Sequence, residues 1–177
     1  MLYKQTISPF LEETLIKLMH LEELNDYRLV GGTALSLLLG HRKSEDIDMF
    51  TAHYGKNNEL LQLMKKHFLR TEIRDFEGFG MTLYIPFPDS DKELKVDLMC
   101  NEEYIRPCIV EDDIRIAHIE DIAAMKLEAI TSRKEKKDYW DIAEILGKYS
   151  LEQMIGFYKE RYQESENFQF FEASDCI

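Results

Sequence analysis

The sequence predicts an α+β protein, a mixed α/β half followed by a helical half. Two observations carry this. Residues 45–50 and 93–99 alternate polar and apolar side chains at period two, as half-buried strands do. Beyond Ala117 the apolar period lengthens to that of a helix and stays there to Tyr162. A length of 177 residues suits one domain with a small appendage. The change of texture divides the chain into an α/β core over 1–117, N-terminal helix included, and a helical part over 118–177 packed on it.

The elements follow in order. Ser8 caps the first helix and Pro9 occupies its first position, where a missing N–H costs nothing. Phe10, Leu11, Leu15, Leu18, Met19 and Leu21 recur on one face, so this helix is expected to reach about Leu24 before Asn25-Asp26 breaks it. A short strand over 27–30 meets Gly31-Gly32, and the apolar stretch 33–39 reads as a helix with Gly40 as its C-cap. Residues 45–50 form a strand, 57–68 a helix, and 71–87 strands broken at 78–80. Pro88-Asp89-Ser90-Asp91 is a turn, 93–99 a strand, and 108–116 one more. Helices are expected over 119–132, 137–148 and 151–162, and the last fourteen residues are acidic and aromatic with no clear period.

Composition excludes several classes of function. Lys and Arg number 22 against 34 Asp and Glu, a net charge of −12. A nonspecific nucleic-acid coat normally has a basic excess, so the surface as a whole is not one. Lys65, Lys66, His67, Arg70 and Arg74 make a local basic run that suits RNA, or simply a solvated helix face. Cys100, Cys108 and Cys176 are odd in number and widely spaced, which fits reduced thiols better than a disulfide framework. No apolar run approaches the roughly 18 residues a spanning helix needs. The first residues lack the apolar centre of a signal peptide. A soluble, cytosolic protein without membrane contact is expected.

Three carboxylates draw attention. Alternation sends Asp46 and Asp48 to one face of their strand, with Ile47 and Met49 on the other. By themselves they fit the polar face of an edge strand. In the strand over 93–99, Leu94, Val96 and Leu98 form one face and Lys95, Asp97 and Met99 the other. If the two strands are neighbours, about 4.8 Å apart, Asp97 joins Asp46 and Asp48. Like charges about 4 Å apart repel by about 4 kcal/mol at an effective dielectric of 20, so such a trio calls for a cation. Hard oxygen ligands suit Mg²⁺, and paired ions on carboxylates are what phosphoryl transfer uses.

Gly31-Gly32-Thr33, between a strand and a helix, offers backbone N–H groups and a helix N-terminus to a phosphate. A plain tight turn has the same look. The Thr33 hydroxyl is free to cap the helix or touch the phosphate. Two later helices carry charges on apolar stripes. Lys126 falls in the middle of the face made by Ile119, Ile122, Ala123, Ala129 and Ile130, and Arg133 at its end, with Glu120, Asp121, Glu128 and Thr131 opposite. Asp138 and Asp141 share a face with Ile142 and Ile145. Asp138 suits first-turn capping chemistry, and Asp141 suits a partner for Lys126 or Arg133.

Together, Leu29-Val30-Gly31-Gly32-Thr33-Ala34-Leu35 with 40–50 around Asp46-Ile47-Asp48, and 120–127 with Arg133 and 137–142, form a specific pattern. It resembles the AbiEii/AbiGii nucleotidyltransferase toxin family, a minimal branch of the polymerase-β-type nucleotidyltransferases, over about Tyr27 to Leu146. The resemblance implies a polymerase-β-type core with a mixed sheet and a helical C-terminal part. It implies transfer of a nucleoside monophosphate from a nucleoside triphosphate, with two Mg²⁺ ions, or Mn²⁺, held by Asp46, Asp48 and Asp97. Gly31, Gly32 and Thr33 would hold the triphosphate and Lys126 would contact it. Arg42 and Ser44 would contact nucleotide or acceptor, and Arg133, Asp138 and Asp141 match a later family motif. On this reading Lys126 faces the cleft of Asp46 and Asp48, is held by Asp141 before nucleotide binds, and is dispensable for stability. Family members act as toxins of type IV toxin–antitoxin or phage-abortive systems, some with tRNA ends as acceptors, and an antitoxin encoded nearby is implied. This chain is shorter than many members. A transferase for a small molecule such as an antibiotic or sugar, and a catalytically silent nucleotide-binding protein of the same fold, are the alternatives.

Overall fold

A computed structural model describes residues 1–53, 57–101, 103–133 and 135–162. The last-fourteen-residue segment noted in the sequence lies outside them. The described residues form two compact units. Among them 1–101 with 108–116 make the first, and 103–107 with 117–162 the second. No helix among the described residues is long and apolar enough to cross a membrane.

The first unit is built on a seven-stranded mixed sheet. Its strands are β1 (Arg28–Val30), β2 (Ile47–Thr51), β3 (Glu72–Asp75), β4 (Gly80–Pro86), β5 (Glu93–Cys100), β6 (Ile109–Glu111) and β7 (Ile114–Ile116), in the order β3-β4-β5-β2-β1-β7-β6. β2 runs parallel to β5, and β1 parallel to β7. The other pairings are antiparallel. Helix α1 (Pro9–Met19) leans on β7, α2 (Gly31–Leu39) on β1 and β2, and α3 (Asn57–His67) on β3 and β4.

One face of the central strands is sealed by apolar side chains. Ile47 lies opposite Val96 and Met49 opposite Leu98, and Leu98 and Val96 in turn face Met81 and Leu83. All six are fully buried. Burying such side chains contributes about 1.5–3 kcal/mol each and fixes the register, since a one-residue slip would turn every one of them to the other face. The opposite face is polar in the same register. Asp48 lies opposite Asp97, Asp97 opposite Thr82, and Thr82 opposite Arg74.

Several elements depart from the sequence expectation. Helix α1 stops at Met19 rather than near Leu24, because the His20 ring bonds the Ile16 carbonyl at 2.7 Å and Leu21 turns extended before a short 3₁₀ turn over Glu22–Leu24. Strand β2 begins at Ile47, so Asp46 lies in the segment leading to it and not on a strand. Residues 108–116 fold as a hairpin instead of one strand. Asp112 and Asp113, with φ of 52° and 61°, make its tight turn. Half-buried Arg115 helps to anchor the hairpin, donating to the carbonyls of Met19, Leu24 and Tyr27.

The second unit contains α4 (Ile119–Ser132), α5 (Lys136–Ile145) and α6 (Leu151–Arg161), with α4 packed on both others. Ser150 and Gln153 close a reciprocal capping box at the start of α6. Residues 103–107, which the sequence boundary after 117 leaves with the sheet, group with these helices. The N–H groups of Ile105 and Arg106 donate to the Asp121 carboxylate at 2.8 and 3.1 Å.

Candidate active site

The sequence-selected residues fall into two groups, one in each unit. In the sheet unit, Asp48 and Asp97 stand side by side on parallel neighbours. The Thr82 hydroxyl donates to Asp97 Oδ1 at 2.6 Å, and the Lys95 ammonium donates to Oδ2 at 2.7 Å. The Asp97 side chain is 15% exposed and that of Lys95 42%. Burial draws the Lys95 pKa down, but the hydrogen bond to Asp97 and the charges of Asp97, Asp48 and Asp46 outweigh it and leave the ammonium raised above its ordinary value. One cation thus feels all three carboxylates.

The glycine turn lies against the same group. Gly31 opens α2 with φ of +68°, a conformation that costs an L-residue about 1–2 kcal/mol. A β-carbon there would also overlap the Asp48 carboxylate, so Gly31 is required twice over. A β-carbon on Gly32 would overlap the Arg42 guanidinium. Asp48 and Arg42 therefore both rest on the turn. Val30, the N-cap residue of α2, makes no side-chain capping bond.

Thr33 and Ser44 are bonded to one another beside the turn. Thr33 is 1% exposed, and its hydroxyl bonds the Ser44 hydroxyl at 2.8 Å and donates to the Asp46 carbonyl. The Ser44 N–H bonds the Thr6 carbonyl at 2.9 Å. These groups brace the segment that delivers Asp46. The basic run is mostly exposed, with Arg74 paired to Glu72 at 2.9 Å and the His67 carbonyl accepting from Lys17 at 2.5 Å.

In the helical unit, the Lys126 ammonium is 2.8 Å from Asp138 Oδ1 and 2.7 Å from Asp141 Oδ2. Arg133 donates to both oxygens of Asp138, at 3.0 and 3.3 Å. The Lys126 side chain is 5% exposed and both aspartates are fully buried. Asp138 is thus an interior ion-pair member and not a first-turn cap. Burial pushes its carboxyl up, but the hydrogen bonds from Lys126 and Arg133 prevail and hold it below its ordinary value. Asp121, placed by periodicity on the solvent side of α4, is also fully buried, paired with Arg161 at 2.8 Å.

Sequence reasoning overlooked Lys95 and Thr82 as site residues. Alternation already put Lys95 on the Asp97 face, and that was the available signal. Thr82 joins only through the β4–β5 register, which no local pattern reveals. Among the described residues, no three His, Cys, Asp or Glu side chains are gathered as a ready metal cage. The donor set does suit a hard cation. The oxygens would come from Asp97, which already holds the Lys95 ammonium, and from Asp48 beside it in the register.

The chain is similar to known proteins in three ways. Residues 14–169 match the family described as "Nucleotidyl transferase AbiEii toxin, Type IV TA system". An uncharacterized protein of Aquifex aeolicus (strain VF5) is 29% identical over 163 residues, covering 85% of this chain and 73% of its own. A solved structure titled "tRNA-processing enzyme (apo form I)" aligns with 86% of this chain at a TM-score of 0.41 and 13% identity. The chain spans about half the length of that enzyme, 52%.

Proposed function

The chain belongs to the AbiEii nucleotidyl transferase toxin family, and from that premise we propose that it transfers a nucleoside monophosphate from a nucleoside triphosphate to an acceptor at the Asp46, Asp48 and Asp97 cluster. The observation that carries this reading is the register of Asp48 on Asp97, with the Asp48 carboxylate seated on the Gly31 turn. Carboxylates and a phosphate-binding helix start thereby meet at one place.

The first-turn N–H groups of α2 receive the triphosphate, where the helix dipole favours negative charge. Arg42, lying over Gly32, gives that phosphate a guanidinium to pair with. Asp46, Asp48 and Asp97 would hold Mg²⁺ or Mn²⁺, which when bound neutralises the phosphates and activates the acceptor hydroxyl. The acceptor oxygen bonds to the α-phosphorus, the bond from that phosphorus to the β-phosphate bridging oxygen breaks, pyrophosphate leaves, and the acceptor proton passes to solvent. Positioning and charge carry most of the rate in such a transfer. Thr82 and the Thr33–Ser44 brace keep the carboxylates where they are needed.

The acceptor we favour is an RNA terminus, with a tRNA 3′ end as the first candidate, and the biological setting a type IV system with an antitoxin encoded nearby. A small-molecule acceptor is the second reading, favoured by the net charge of −12, which makes a long polyanion a poor general ligand. Incubating the protein with each α-³²P-labelled nucleoside triphosphate, total RNA and a small-molecule extract, with Mg²⁺, distinguishes them. Label in an RNA band of tRNA size supports the first reading, and label in the small-molecule fraction the second. Asp48→Asn should remove either signal and leave the thermal midpoint within a few degrees. No transfer from any of the four triphosphates to any fraction would overturn the proposal.

A further inference from the structure

We propose that Lys95 is a positioning residue: the resident counter-ion of the carboxylate cluster, which must release Asp97 Oδ2 before a divalent cation is held there. This rests on the metal-dependent reading above and goes beyond it by naming the group a metal displaces. The two oxygens of Asp97 are held in unlike ways. Oδ1 accepts from Thr82, a hydroxyl 3% exposed on the neighbouring strand, and this sets the rotamer of the carboxylate. Oδ2 is taken by Lys95, two residues back on the same strand face. The oxygen that a cation can capture is therefore the one that an ammonium already occupies.

The side chain also has somewhere to go. Its 42% exposure gives the four-carbon stem a route into water. Lys126, at 5%, has no such route, and its two carboxylate partners are fully buried. Asp48 faces Asp97 in the register and its charge acts on Lys95 along with that of Asp46. The ammonium thus offsets repulsion among the acids when no divalent ion is held. An ammonium and a divalent ion cannot both sit on Oδ2, since their repulsion at a few ångströms exceeds what the shared oxygen returns.

The test is direct Mn²⁺ binding, read as free Mn²⁺ by electron paramagnetic resonance, on the parent and on Lys95→Met, Lys95→Arg, Thr82→Val and Asp97→Asn. Lys95→Met should bind Mn²⁺ about tenfold more tightly or better, because a like charge beside the site is gone. Lys95→Arg should stay near the parent, Thr82→Val should bind more weakly, and Asp97→Asn should lose the site. Parent binding that Asp97→Asn abolishes but Lys95→Met leaves unchanged or weakens would overturn the role of Lys95 while keeping the metal reading. Absence of Mn²⁺ binding in the parent and in Lys95→Met would overturn both. Should Lys95→Met fail to fold, Lys95→Gln takes its place with the same expected direction.

Discussion

The molecule holds two clusters of aspartates around a lysine, and they are built on opposite plans. Asp97 and Lys95 meet at 2.7 Å on a sheet face that water reaches, beside Asp48 and the Gly31 turn. Asp138 and Asp141 meet Lys126 at 2.8 and 2.7 Å among helices that leave both acids no exposed surface. Contact distances are the same, so distance does not tell a site from a strut. Access does. A cation enclosed on every side is costly to remove, and one with a route to water can exchange with a ligand.

The largest expected effect lies in the sealed cluster. Lys126→Met leaves Asp141 and Asp138 buried with one cation fewer, and breaking such a pair from one side costs about 3–5 kcal/mol. This reverses the expectation that Lys126 is dispensable for stability, which treated the residue as a lone functional charge. The urea midpoint should fall sharply. A variant as stable as its parent would show that the two clusters do not differ in the way argued.

The second prediction uses pH. Lys126 and Arg133 hold the Asp138 carboxyl below its ordinary value in the folded chain. In the unfolded chain it titrates near the usual value of about 3.9. The unfolded state therefore takes up its proton first as pH falls. The stability Asp138 contributes is intact above about pH 4 and is lost below it, toward the depressed folded value. Urea midpoints measured from pH 6 to pH 3 should fall more steeply for the parent than for Asp138→Asn. Parallel curves would mean that the buried pair does not report on acid.

These clusters also mark what the sequence could disclose. Period-two alternation placed Asp48, Lys95 and Asp97 on polar faces because a strand's side-chain direction is fixed by its neighbours in sequence. The partner strand is not, so Thr82 joined only once β4 and β5 were paired. Helical periodicity found Lys126 and failed for Asp121, since a helix has one apolar stripe in sequence but two neighbours in space. Helix α6 covers the side that helical periodicity assigns to solvent, and Arg161 arrives there from forty residues away. Asp112 and Asp113 gave no hairpin signal because non-glycine residues rarely take positive φ at both turn positions.

A third, smaller effect sharpens what the open cluster needs from its surroundings. Gly31→Ala imposes a β-carbon on a backbone at φ +68°, costing about 1–2 kcal/mol, and pushes on the Asp48 carboxylate. Gly32→Ala meets only the mobile end of Arg42 and should cost less. Nucleotidyl transfer should fall further for Gly31→Ala than its lost stability explains, measured as product formed per folded molecule at 20 °C. Equal losses for the two alanines would show that Asp48 does not depend on the turn.

The smallest expected effect completes the contrast. Lys95→Met removes an ion pair with the same contact distance as Lys126–Asp141, yet its stability cost should be within about 1 kcal/mol. Water and salt screen a side chain that is 42% exposed, and ordering its long stem has already offset part of the attraction. Raising the ionic strength from 0.05 to 1 M should shrink the difference between parent and Lys95→Met toward zero, because mobile ions then screen what the ammonium screened. The same salt step should leave the Lys126→Met deficit nearly intact, since ions do not reach a buried pair. The ratio of the two deficits, followed across salt by urea unfolding, therefore measures how differently the clusters are exposed. A Lys95→Met deficit that is large and insensitive to salt would place Lys95 among the structural lysines and remove the physical basis for an exchangeable Asp97.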